Sequence, residues 1–217
     1  LDESGTGVGS ITAGCLEGPV ADSARAAIEA GTSLTETYDL TENDDETWGM
    51  GLGCNGIIDV LLDPVDESLR PALNAMERKD RAVVLTVVDA EGETTVSPGD
   101  RTTVFEDGST ASPDSLAGTA REPLSDAMLE HVLAALPVDA VASLPRSTTV
   151  TFSIDGTEVS VFCDVYEPIP TLLVFGSQGD VRPVTRFAQD AGFRVEVVTG
   201  RGGKATAERF PAADSVE

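Results

Sequence analysis

The sequence predicts an α/β chain, an N-terminal α+β domain followed by the start of a parallel βαβ unit. Three observations carry this. Apolar residues recur at helical spacing in 19–30, 66–79 and 124–136. Alternating runs lie between and after them, and "TTVTFSIDGTEVSVFCDVY" reads as two strands joined around Asp155-Gly156. Beyond a short stiff "EPIP" the order becomes strand, turn, helix, strand. The expected organisation is a domain over 1–166, a linker over 167–170 and the beginning of a second domain over 171–217.

Taken in order, Ser10 to Ala13 is expected as a short strand. The helix over 19–30 places Val20, Ala24, Ala27 and Ile28 on one face, with Pro19 in its first turn and Gly31 just past its end. A strand is expected over 35–40, then the polar and glycine-rich loop "TENDDETWGMGLGCNG". "IIDVLLD", 57–63, reads as a buried strand stopped by Pro64. The helix over 66–79 carries Leu69, Leu73 and Met76 on one side and tolerates Pro71 in its first turn. "RAVVLTVVDAEG" is a strand, and "TTVFEDGS" is part of a hairpin. The helix over 124–136 has the clearest stripe: Leu124, Met128, Leu129, Val132, Leu133 and Leu136. After the linker, "TLLVFG" and "FRVEVV" are strands flanking a helix over 184–191.

Charge narrows the function classes. Thirty-eight acidic against 14 basic residues give a net charge of −24. A field of that sign repels phosphate backbones and argues against nucleic acid as a partner. No run approaches the roughly 18 to 20 apolar residues of a membrane span. Acid enrichment with Lys79 and Lys204 as the sole lysines suits a protein kept hydrated in concentrated salt, a halophilic cytoplasm. Three cysteines, an odd number with no secretory leader, point to free thiols in a reducing compartment. The chain opens on Leu1 and its first methionine is Met50, as expected of part of a longer protein.

Two loops frame cysteines with glycine. In "GSITAGCLEGPV", Cys15 follows Gly14 and precedes Glu17 and Gly18 at a predicted helix start. Amides and the helix dipole there favour anions, a thiolate included. Glu17 opposes that charge, or else accepts hydrogen bonds from a ligand with an amino-amide edge. In "GMGLGCNG", Gly51, Gly53 and Gly56 surround Cys54, and consecutive amides of such a loop can wrap a phosphate. A tight turn before the next strand is the plain alternative.

"GSITAGCLEGPV", "YDLT" and "WGMGLGCNG", in this order, resemble the N-terminal domain of the XdhC/CoxI family. "EPIPTLLVFG" and "GFRVEVVTGR…ATAERFPAAD" resemble that family's linker and Rossmann-like C-terminal domain, so 171–217 is expected as a truncated Rossmann-like βαβ unit. The resemblance implies a maturation factor for molybdenum hydroxylases rather than an enzyme. Such a factor binds molybdenum cofactor, helps hold it during sulfuration by a cysteine desulfurase, and delivers it to a xanthine or carbon monoxide dehydrogenase apoenzyme. Implied cofactor-binding residues are Gly14, Cys15, Glu17, Gly18, Gly51, Gly53, Cys54 and Gly56. Cys15 and Cys54 would share one cleft, as ligands to molybdenum or as carriers of persulfide. Molybdopterin offers matching chemistry: a phosphate for a glycine loop, a pterin edge for Glu17, and a soft metal for thiolates. A homo-oligomer is among the expected assemblies.

The alternatives are an NAD(P)-binding oxidoreductase and a thiol or persulfide carrier without pterin. "FGSQGDVRPV" stands where a dinucleotide fingerprint would be. Gly176 is present and Gly179 comes one residue late, but Gln178 fills the second glycine position and Thr199 replaces the acidic ribose partner. Both departures argue against NAD(P), and Arg201 alone adds little. His131 reads as a half-buried helix residue, Cys163 as core, and the acidic run 42–46 as a solvated loop. Trp48 anchors its loop or stacks on a pterin.

Overall fold

The computed structural model describes residues 1–2, 4, 6–12, 14–40, 56–91, 95–111, 121–200 and 206–217. Contacts divide them into the units Leu1–Tyr166 and Glu167–Glu217.

In the first unit, helix α1 (Glu17–Ala30) begins two residues before Pro19 and ends on Gly31, whose N–H reaches the carbonyls of Ala27 and Ile28. No strand forms over residues 10–12, because Thr12 turns its side chain to the start of α1. Strands β1 (Leu34–Asp39) and β2 (Ile57–Leu62) make an antiparallel ribbon of their own. β2 is therefore not the buried strand its apolar run suggests. Ile58, Val60 and Leu62 face the cluster with α1, whereas Ile57 is 63% exposed. A two-stranded ribbon covered on one face buries alternate residues.

Asp66 then accepts from the Ser68 amide to start a 3-10 turn (Glu67–Leu69), which runs into helix α2 (Arg70–Arg78) with Pro71 in its first turn. Ala72 and Ala75 are buried at 2% and 0%, while Leu73 and Met76 stay 45% and 48% exposed. The stripe of large residues is thus not the packed face. Small side chains let α2 lie close to the sheet.

That sheet contains β3 (Ala82–Glu91), β4 (Arg101–Phe105), β5 (Thr110–Ala111), β6 (Thr148–Ile154) and β7 (Thr157–Tyr166) in the order β5-β4-β3-β7-β6, antiparallel throughout. Asp155 and Gly156 turn between β6 and β7 with φ of 51° and 84°, a pair suited to a two-residue hairpin loop. Helix α3 (Asp126–Ala135), capped by the Ser125 hydroxyl on the Met128 amide, sets Met128 and Val132 against Val83, Leu85, Val161 and Cys163. Cys163 is fully buried in that core, and burial pushes its thiol up to about 11. His131 is exposed rather than half-buried. It lies at the edge of the stripe, with its Nδ1 2.7 Å from the Ala127 carbonyl and its ring 5.7 Å from that of Phe152.

In the second unit β8 (Thr171–Phe175), β9 (Arg194–Val198) and β10 (Ser215–Val216) are parallel in the order β10-β9-β8. Helix α4 (Val181–Asp190) begins three residues earlier than its spacing suggests. Val181, Val197 and Phe210 form the core. β10, two residues long, has no sequence pattern of its own. Among the described residues no helix is long and apolar enough to cross a membrane.

Candidate functional site

The first cysteine motif folds around Thr12. Its Oγ1 accepts the amides of Cys15 (3.1 Å) and Leu16 (3.0 Å) and donates to Glu17 Oε2 (2.8 Å). The Thr12 amide donates to Glu17 Oε1 at 2.9 Å. This ring closes over Gly14, which holds φ at 113°, a value open to glycine at little cost. The Thr12 hydroxyl, ahead of the opposing effect of burial, keeps the Glu17 carboxyl below its usual range. The anion that a helix start attracts is here the chain's own carboxylate, and two of the nearby amides are taken by Thr12. A ligand edge reaching for Glu17 must compete with Thr12.

Cys15 is partly buried and packs against the cluster of Leu16, Val20, Ala27 and Leu62. Leu40 and Ile58 pack against the same cluster. The Leu40 amide donates to the Gly56 carbonyl at 2.9 Å, closing the root of the second glycine loop. Cys15 and Leu40, at the root of that loop, therefore pack against one cluster between α1 and the β1–β2 ribbon. Gly51, Gly53 and Cys54 lie outside the described residues, as do Trp48, the acidic run 42–46 and Arg201. An added Cβ at Gly14, Gly18 or Gly56 would meet nothing within 4 Å, so the backbone at all three faces open space.

Beside this patch lies a cleft of about 1300 Å³, and Val20, Ala27 and Leu62 belong both to its wall and to the cluster under Cys15. Its polar side is a buried ion network. Asp63 receives Arg101, Arg121 (2.5 Å) and the Ser33 hydroxyl (2.6 Å). Arg121 also donates to Asp66 Oδ2 (3.1 Å), the Pro64 carbonyl (3.3 Å) and Ser33. Burial raises the Asp66 carboxyl, but the Ser68 hydroxyl and amide and the Arg121 guanidinium outweigh it and hold it low. Sequence reasoning missed this network. The one available hint is an arginine, Arg101, opening a β-branched run in a chain poor in cations.

In the second unit Gly176 adopts φ 144° and gives its N–H to the Val198 carbonyl at 3.0 Å, while the space around Gly179 is open. Thr199, at the place of a ribose partner, gives its amide to the Glu217 carbonyl at 2.7 Å.

Residues 1–39 match the XdhC and CoxI family. The match to XdhC and CoxI holds the Thr12–Glu17 ring and Cys15 and stops at the end of β1. Over 99% of its length the chain is 28% identical to a protein of Bacillus subtilis described as a probable subunit of xanthine dehydrogenase. It also superposes on the crystal structure of a xanthine dehydrogenase from Bacillus halodurans with a TM-score of 0.70, 25% identity and 100% of this chain covered. The chain spans 57% and 56% of these two relatives.

Proposed function

We propose that this chain is an accessory factor that binds molybdenum cofactor and assists its sulfuration and its insertion into a xanthine or carbon monoxide dehydrogenase-type enzyme, with no turnover of its own. The observation that carries the reading is that Cys15 and Leu40, at the root of the Cys54 loop, pack on one cluster, with open backbone at Gly14, Gly18 and Gly56. The similarity to XdhC and CoxI over residues 1–39 supports it.

The residues fit the cargo with one adjustment. Cys15 and Cys54 supply soft thiolates to the metal end, as ligands or as persulfide carriers. Because Thr12 and Glu17 already fill the start of α1, the phosphate falls to the amides of the glycine loop instead. The partners are a molybdenum hydroxylase apoenzyme and a cysteine desulfurase. The setting is a salt-rich cytoplasm, to which the acidic surface is suited.

The test is to express the chain with molybdenum cofactor available, purify it without air, and measure bound pterin by fluorescence and molybdenum by elemental analysis. The intact chain is expected to carry both. Cys15→Ser and Cys54→Ser are expected to lose molybdenum while keeping their circular dichroism. Equal pterin and molybdenum in all three proteins, or bound nicotinamide in place of pterin, would overturn the reading.

A further inference from the structure

The cleft beside α1 has a wall of two kinds. One part is aliphatic: Val20, Ala24 and Ile28 from α1, with Leu61 and Leu62 from β2. The other is the ion network of Asp63, Asp66 and Arg121, with Asp100 close by in the sequence of the same wall. At about 1300 Å³ the cleft has room for a small ligand without displacing a side chain.

The polar part disfavours an anion. Nε, Nη1 and Nη2 of Arg121 donate to Asp66, Ser33 and Asp63, so each guanidinium nitrogen already serves the wall itself. Arg101 is 3% exposed and pairs with Asp63. Acceptors, by contrast, are to spare. Asp63 and Asp66 keep 17% and 27% of their side chains exposed. Asp66 Oδ2 accepts from Arg121 and has a second lone pair to give. The two arginines balance Asp63 and Asp66, whereas Asp100, buried in the same wall, takes the neutral amides of Ser97 and Glu122. Its charge adds to the field of a unit in which residues 1–166 carry 31 acidic and eight basic side chains, net −23, against seven and six, net −1, in residues 167–217.

We propose that this cleft binds an aliphatic amine in its ammonium form, with the stem along Ala24 and Ile28 and the head against Asp66. Burial of the stem supplies affinity, and the carboxylates select the sign of the head. A neutral apolar ligand would strip water from Asp63 and Asp66 and return nothing to them. A carboxylate ligand would add repulsion. The inference does not depend on the cofactor reading.

Isothermal titration calorimetry of the purified chain tests it, with butylammonium, hexylammonium and hexanoate as probes, in roughly 1 M KCl so that loose counter-ion binding is screened. Hexylammonium is expected to bind with a Kd at or below about 1 mM, within reach of a well-buried ligand of its size. It should bind at least about tenfold more tightly than butylammonium, since each buried methylene contributes about fourfold. Hexanoate should not bind. Ala24→Phe fills the cleft from α1 and should weaken hexylammonium at least about tenfold by displacing its stem, with circular dichroism unchanged. Asp66→Asn should weaken it in the same direction. Asp22→Asn removes a carboxylate from the exposed face of α1 and should leave binding unchanged. No binding of hexylammonium, equal binding of hexanoate, no gain from butylammonium to hexylammonium, or full affinity in Ala24→Phe would overturn the proposal.

Discussion

Arg121 is the side chain whose removal the larger unit should tolerate least. It is 7% exposed and binds Asp63, Asp66, Ser33 and a backbone carbonyl at once. Deleting it leaves two partly buried carboxylates without their shared cation. Arg121→Ala is expected to cost about 3 kcal/mol in urea unfolding, because Asp66 loses its cation while Asp63 keeps Arg101. A loss below about 1 kcal/mol would place the pair among surface contacts such as Arg25–Asp22, whose side chains are 50% and 79% exposed. Gly99 belongs to the same network: φ is 95°, and a Cβ there would collide with the Arg121 guanidinium, so Gly99→Ala should destabilise for both reasons. Alkaline pH acts on two other groups, the buried Cys163 and the half-buried Tyr166. Burial pushes the Cys163 thiol up to about 11 and, ahead of the neighbouring Asp164 carboxylate, the Tyr166 phenol up to about 12. Below pH 9 the folded and unfolded chains both keep these protons. From 9 to about 11 for the thiol, and 10 to about 12 for the phenol, only the unfolded chain releases them. Stability should therefore fall as pH rises through this window. Cys163→Ala should flatten the first part of the fall in unfolding curves taken at successive pH values, whatever it does to the absolute stability.

At the scale of elements, the start of α1 depends on one hydroxyl. Leu16 occupies the cap position without a side-chain bond of its own, and Thr12 serves in its place. Thr12→Val keeps the shape and removes the hydroxyl. It should cost about 1 kcal/mol in thermal or urea unfolding, with Thr12→Ser recovering most of it. Equal losses in both variants would show that shape, not the cap, matters there. How far an element is legible in the sequence depends on whether its signature is local. The hairpin at Asp155-Gly156, helix α3 and the parallel unit after Pro170 are legible because each has a period of 2 or 3.6 bounded by turn or cap residues. β2 is misread because a short apolar run does not say whether one face or two will be covered. The packed face of α2 is misread because Ala72 and Ala75 bury completely while the larger Leu73 and Met76 do not. In the candidate site, Cys15 and its glycines are visible from spacing. The turning of Glu17 onto Thr12 and the convergence of Asp63, Arg101 and Arg121 depend on three-dimensional placement, which no spacing rule reports.

Over the whole molecule the decisive quantity is the uneven charge, and it makes a prediction about salt that neither unit makes alone. With −23 on residues 1–166, folding that unit gathers like charges that the unfolded chain keeps farther apart. Raising KCl from roughly 0.1 to 1 M shortens the screening length from about 10 Å to about 3 Å, which relieves much of this repulsion. The buried Asp63–Arg121 pair is shielded from the added ions and loses little. The near-neutral residues 167–217 have no such strain to relieve. Hydrogen exchange followed by mass spectrometry should therefore show β3 and β7 gaining protection with salt while β8 and β9 change little. General strengthening of apolar burial by salt would instead raise protection in both units together. An equal gain in the two units, or none in β3 and β7, would refute screening as the route by which salt acts on residues 1–166.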